Sequence, residues 1–158
     1  MNKKTIYPGT FDPITNGHLN IVTRAATIFQ NIILAIADNP SKKPIFSIQE
    51  RVVLATKVVC HLQNVVVMRF SNLLVDFAQE QKAFIIIRGL RTTSDWENEK
   101  QIAEMNHNLY PALENVFLMP MGQYTYLSSS LIKEIFQYGG DVTQFLPSEV
   151  YQALKARL

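Results

Sequence analysis

The sequence predicts an α/β fold built on a five-stranded parallel sheet with helices on both faces. Two observations carry this expectation: five short β-branched runs recur along the chain, and segments with helical periodicity separate them. A third places the sheet at the centre. The runs are almost continuously apolar, as in Ile32-Ile33-Leu34-Ala35-Ile36-Ala37 and Ile85-Ile86-Ile87, which suits strands covered on both sides.

The first run, residues 5–7, leads into a turn rich in Pro and Gly, after which apolar positions recur at helical spacing over 17–29. The second, 32–37, precedes a helix over 48–62; the third, 65–70, a helix over 73–81; the fourth, 84–88, a helix over 95–109. The fifth, 116–119, is followed by helices over 129–138 and 148–158. This alternation reads as a Rossmann-like sheet. With 47% hydrophobic and 18% charged residues and no low-complexity tract or repeat, residues 1–158 read as one globular domain, burying roughly two thirds of its unfolded surface.

Composition also excludes. A net charge of +2 is too small to argue for nucleic acid, and none is expected as a partner. The start, Met1-Asn2-Lys3-Lys4-Thr5, is basic, but the apolar run behind it ends at Pro8. It reads as neither signal peptide nor membrane span, so no membrane association and a cytoplasmic location are expected. Cys60 is the single cysteine, which excludes an internal disulfide, and Val58, Val59 and Leu62 beside it predict that it packs in the core. Three His and one Cys, none at ligand spacing, argue against a metal site built by the protein. His61 and His107 read as surface residues. There is no Walker A pattern, and no Gly-x-Gly-x-x-Gly follows the first strand, which argues against P-loop kinases and dinucleotide dehydrogenases.

Ligands of open α/β sheets bind outside the carboxyl ends of the strands. After the five runs come, in turn, Thr10 and His18; residues 39–43; Ser71 and Asn72; residues 88–91; and residues 124–130. Hydroxyls, amides and cations thus gather at one edge, a pattern suited to phosphate. In Thr15-Asn16-Gly17-His18, an imidazole lies at the mouth of a helix, beside unpaired N–H groups and the positive end of the dipole. Ser128-Ser129-Ser130-Leu131-Ile132-Lys133 opens a second helix with hydroxyls; alone, it would read as an N-cap.

Thr15-Asn16-Gly17-His18 and Ser128-Ser129-Ser130-Leu131-Ile132-Lys133 resemble the two signatures of the adenylyl- and cytidylyltransferases. Together with Tyr7-Pro8-Gly9-Thr10-Phe11-Asp12-Pro13-Ile14, Pro40-Ser41-Lys42-Lys43, Ile87-Arg88-Gly89-Leu90-Arg91 and Phe117-Leu118-Met119-Pro120, they resemble the bacterial phosphopantetheine adenylyltransferase family across nearly the whole chain and in motif order. That family joins 4′-phosphopantetheine to the AMP part of ATP, giving dephospho-coenzyme A and pyrophosphate.

The resemblance implies that His18 binds the α-phosphate and stabilises the pentacovalent transition state, and that Thr10 orients the attacking phosphate. Lys42 and Arg88 would hold that phosphate. Arg91, with Ser129 and Ser130, would clamp the β- and γ-phosphates. Phe11, Gly89, Leu90 and the stretch Tyr124, Thr125, Tyr126, Leu127 and Ser128 would complete the ATP site, with Glu99 nearby; Leu74 and Glu134 would line the pantetheine arm. Mg²⁺ bound with ATP, feedback inhibition by coenzyme A, and a homohexamer built as a dimer of trimers are implied in the same way.

The chemistry needs no dedicated base, because a phosphate monoester has its second pKa at about 6 and is largely a dianion at neutral pH. It needs relief from repulsion by another polyanion, and positioning. The strand-end residue Arg88 should also find an anion or a carboxylate such as Asp95 or Glu99. Three places depart from the family pattern: Asn98 stands where a Tyr is expected, Asn72 where an Asp is, and Gln123-Tyr124-Thr125-Tyr126 lacks a Trp. Two rivals stay open. One is a related transferase acting on nicotinamide mononucleotide or glycerol 3-phosphate; the other is a nucleotide-binding module without catalysis.

Overall fold

The structure, a computed structural model, describes residues 3–39 and 41–157. Pro40 of the second motif and Leu158, the end of the last expected helix, lie outside the described residues. Five parallel strands form one sheet: β1 (Lys4–Gly9), β2 (Asn31–Ala37), β3 (Val65–Phe70), β4 (Ala83–Gly89) and β5 (Glu114–Leu118), in the order β3-β2-β1-β4-β5. The helices are α1 (Asn16–Ile28), α2 (Ile48–Val59), α3 (Leu74–Glu80), α4 (Thr93–Leu109), α5 (Ser129–Gln137) and α6 (Ser148–Lys155). The chain steps outward from β1 to β3, then crosses back to β4. Right-handed crossovers therefore put α1 and α2 on one face and α3 on the other.

The continuous apolar runs have their reason in β2. Ile32, Leu34 and Ile36 enter one core with residues of α1, α2, α5 and α6, while the alternate Ile33 and Ala35 enter a second core with Val75, Phe77 and Leu113. Each fully buried side chain of this size contributes about 1.5–3 kcal/mol. Among the described residues, no helix is long and apolar enough to cross a membrane.

Three differences from expectation have local causes. β1 extends through Pro8 and Gly9 because β2 continues beside it to the pair Gly9↔Ile36. The start of α4 moves back to Thr93, since Thr92 caps it: the Thr92 hydroxyl accepts from Asp95 N at 3.2 Å, and the Asp95 carboxylate accepts from Thr92 N at 3.3 Å. Cys60 is exposed, contrary to the expected packing. The core face of α2 is carried by Leu54, Ala55, Val58 and Val59, whereas position 60 falls in line with Val53, Thr56 and Lys57 on the exposed side. His61 and His107 are exposed.

Candidate active site

The sheet opens where its topology reverses. Pairing of β1 with β4 ends at Ile6↔Ile86, yet β1 follows β2 to Gly9↔Ile36 and β4 follows β5 to Gly89↔Leu118. The two halves part at their carboxyl ends, as expected at a switch point. Pro8, with no N–H to donate, stands at this gap, and its carbonyl accepts from Arg88 Nη1 at 3.4 Å. A cavity of about 240 Å³ lies there, lined by residues that include Phe11, His18, Arg88, Gly89, Arg91, Glu99, Tyr124, Leu127, Ser128 and Ser129. Tyr7, Thr15, Gly17, Ile21 and Pro120 line it as well.

His18 is fixed by its own helix cap. Thr15 caps α1 by accepting from His18 N at 3.3 Å, and in return Thr15 N donates to His18 Nδ1 at 3.0 Å. The ring also meets Phe11 edge-on, with centroids 4.9 Å apart. Phe11 in turn holds φ at +48°, in the left-handed region that a bulky side chain rarely adopts. Burial, and then the charge of Arg91, push the His18 pKa down to about 4. At neutral pH the ring is therefore uncharged, with Nδ1 accepting and the proton on Nε2. A neutral imidazole N–H is a donor suited to a developing oxyanion. Burial likewise raises the Tyr7 phenol above its ordinary range, so it stays protonated.

Helix starts supply further donors. Asn16 N and Gly17 N in α1, and Ser129 N and Ser130 N in α5, have no carbonyl four residues back within their helices, and both helix starts border the cavity. A side chain at Gly17 would project among Thr15, Tyr124 and Leu127. Ser128 is the N-cap of α5, accepting from Leu131 N at 3.1 Å, while the Ser129 hydroxyl donates to Pro13 O at 2.8 Å. Ser130 is exposed and off the cavity wall.

The guanidinium groups are anchored. Arg88 Nε and Nη2 each donate to Glu99 at 2.6 Å, a two-pronged pair with 26% and 12% of the side chains exposed. Glu99, not Asp95, is thus the expected carboxylate. Arg91 donates to Leu127 O at 2.6 Å and pairs with Asp95 at 3.2 Å, which joins the start of α4 to the segment before α5.

The proposed acceptor residues do not gather as one group. Lys42 Nζ donates to Thr10 Oγ1 at 3.3 Å, bringing together two residues 32 positions apart. Neither lines the cavity, nor do Leu90, Leu74, Thr125, Tyr126 or Glu134. Leu74 packs against the second core, Glu134 is exposed, and Tyr126 meets Phe145 edge-on. Of the departures, Asn72 donates to Glu80 at 3.0 Å, Asn98 is exposed, and Tyr124 lines the cavity.

Reading of the sequence missed two buried ions behind this edge. Asp12, 3% exposed, accepts from Ile45 N at 2.9 Å and Phe46 N at 3.0 Å, and pairs with Lys133 Nζ at 2.8 Å. It therefore joins the loop after β2 to α5. Arg51, 2% exposed, reaches backbone carbonyls at the same edge. An Asp beside a Pro and an Arg within an apolar helix stripe were the available signals.

A parallel α/β sheet that opens onto a neutral imidazole, two guanidinium groups and two helix starts is the arrangement of a nucleotidyltransferase. The sequence matches the model of the Cytidylyltransferase-like family over residues 6–135, and the chain belongs to that family. A solved structure from Vibrio parahaemolyticus, of a protein provisionally named a nicotinate-nucleotide adenylyltransferase, is similar in fold. Its identity is 16% and its TM-score 0.72, over 99% of this chain and 93% of that one.

Proposed function

We propose that this protein transfers the adenylyl group of ATP to 4′-phosphopantetheine, forming dephospho-coenzyme A and pyrophosphate. The observation that carries the reading is the Lys42–Thr10 contact at 3.3 Å, a cation and a hydroxyl joined at the strand edge that the cavity shares. The motif order supports the same acceptor.

The acceptor phosphate, already a dianion, attacks the α-phosphorus in line as the bond to pyrophosphate breaks, so no side chain has to remove a proton. His18 Nε2–H donates to an α-phosphoryl oxygen as its charge grows. Arg91 and the N–H groups of Ser129 and Ser130 hold the β- and γ-phosphates, with Phe11, Gly89, Leu90, Glu99 and 124–128 around the nucleotide. Thr10, Lys42 and Arg88 hold the incoming phosphate, and Leu74 and Glu134 flank the pantetheine arm.

Mg²⁺ belongs with the ATP. The cavity's carboxylate, Glu99, is taken by both prongs of Arg88, and among the described residues no three His, Cys, Asp or Glu side chains converge as ligands. Phosphate oxygens and water would hold the ion, which neutralises phosphate charge. The setting is cytoplasmic, with coenzyme A competing for the acceptor site. We also propose a homohexamer built as a dimer of trimers. Asn106 is the buried residue of α4, whereas Ile102, Met105 and Leu109, which fall on one side of the helix, are exposed, an apolar face of the kind an assembly covers.

Pyrophosphate release measured over several acceptors tests the reading. 4′-Phosphopantetheine is expected to give a kcat/KM at least about tenfold above nicotinate mononucleotide, nicotinamide mononucleotide and glycerol 3-phosphate, a margin of ~1.4 kcal/mol. A higher value for any of the others would replace the acceptor, and saturable ATP binding without turnover on any would indicate a binding module.

A further inference from the structure

Arg51 is a buried cation that forms no ion pair among the described residues; the buried carboxylate of Asp12 is paired with Lys133 instead. Arg51 is 2% exposed, and the ion pairs among the described residues join Arg88, Arg91, Lys100, Lys133 and Arg157 to carboxylates, but not Arg51. Its partners are carbonyls. Nη1 donates to Thr10 O at 2.8 Å and to Ala37 O at 2.9 Å, and Nε donates to Phe46 O at 3.2 Å. Those oxygens belong to the residue after β1, the end of β2, and the far end of the loop that carries Lys42. A guanidinium cannot shed its proton, so this position keeps its full charge in a place where charges are ordinarily paired.

Carbonyl dipoles offset part of that charge and satisfy the N–H groups; they do not neutralise it. The guanidinium lies at the carboxyl edge of the sheet, on the backbone of the same Thr10 whose hydroxyl meets Lys42. The same fork fixes the backbone of Thr10 and one end of the Lys42 loop to α2. Burial of a lone cation opposes folding, so the charge calls for an answering anion as well as the three carbonyls.

We infer that Arg51 is a positioning residue for the acceptor's phosphomonoester: it sets Thr10 and the Lys42 loop, and its charge is answered by that phosphate when the acceptor binds. This rests on the reading of Thr10 and Lys42 as the acceptor-phosphate site.

Steady-state kinetics on Arg51→Gln, Arg51→Lys and Lys42→Ala test it, with inorganic phosphate as a competitor of the acceptor. Arg51→Gln is expected to raise the acceptor KM and the phosphate inhibition constant by about tenfold while the ATP KM moves less than about twofold. Arg51→Lys, which keeps the charge but cannot span three carbonyls, should raise both by about threefold, and it serves if the Gln variant does not fold. Lys42→Ala must raise the acceptor KM as well. If it does and neither Arg51 variant does, or if Arg51 variants shift both substrates equally, the role of Arg51 is overturned and the site survives. If no variant moves the acceptor KM, the acceptor site itself is wrong, and the inference falls with it.

Discussion

Thr15 N donates to His18 Nδ1 at 3.0 Å, so the imidazole enters the site with one nitrogen already used and its proton confined to Nε2. The capping box of α1 thereby sets the tautomer of the residue that faces phosphate. The ring should be neutral and protonated on Nε2 across pH 6 to 8. Long-range ¹H–¹⁵N NMR of His18 checks this, and an imidazolium or an Nδ1–H tautomer at pH 7 would contradict it.

The same depression sets a pH dependence of stability. His18 titrates near pH 4 when folded, against an ordinary 6.5. Above 6.5 neither state binds the proton. Between 6.5 and 4 the unfolded chain binds it and the folded chain does not, so stability falls as the pH drops, and the loss is complete below about 4. Denaturation of the protein and of His18→Asn should therefore give a stability difference that is level above 6.5 and moves against the unsubstituted protein as the pH falls to 4. A difference that shifts in its favour on acidification would mean a raised pKa.

Arg88 and Glu99 should behave as one unit. Removing Arg88 alone leaves a carboxylate only 12% exposed without its cation, so Arg88→Ala should destabilise by about 2–3 kcal/mol. Arg88→Ala with Glu99→Gln should recover part of that, for a coupling of about 1–3 kcal/mol in a double-mutant cycle by urea denaturation. Additivity would show that the pair is loose in solution.

Gly9 should resist even a methyl group. A Cβ there would lie 2.9 Å from Phe11 Cε2 and 3.0 Å from Cζ, and Phe11 is wedged between Tyr7 and His18. Gly9→Ala should destabilise by about 1–3 kcal/mol and lower kcat by displacing Phe11 from His18. Full activity with unchanged stability would mean that Phe11 has room to move.

The fold was legible because burial on both faces writes itself into β2 as an unbroken apolar run, and because the helices carry clear stripes. The start of α4 was legible too, in Thr92-Thr93-Ser94-Asp95, had the capping box been read there. What the sequence hides is contact across distance. The imidazole of His18 lies beside a helix dipole by any reading, but its tautomer depends on the Thr15 backbone. Arg51 reaches Thr10 across 41 positions, and Asp12 reaches Lys133 across 121. No local pattern records such pairs. Cys60 failed for a local reason: its neighbours Val58 and Val59 lie on the buried stripe, while position 60 falls in line with the exposed Val53, Thr56 and Lys57.

Transfer of the α-³²P label from ATP to 4′-phosphopantetheine bears on the central claim most directly, followed in parallel for the unsubstituted protein and His18→Ala. Label should move into dephospho-coenzyme A, with the His18→Ala rate lower by about 10²–10³-fold and ATP affinity within a few-fold. Label that stays on ATP, or a His18→Ala rate equal to that of the unsubstituted protein, would contradict it.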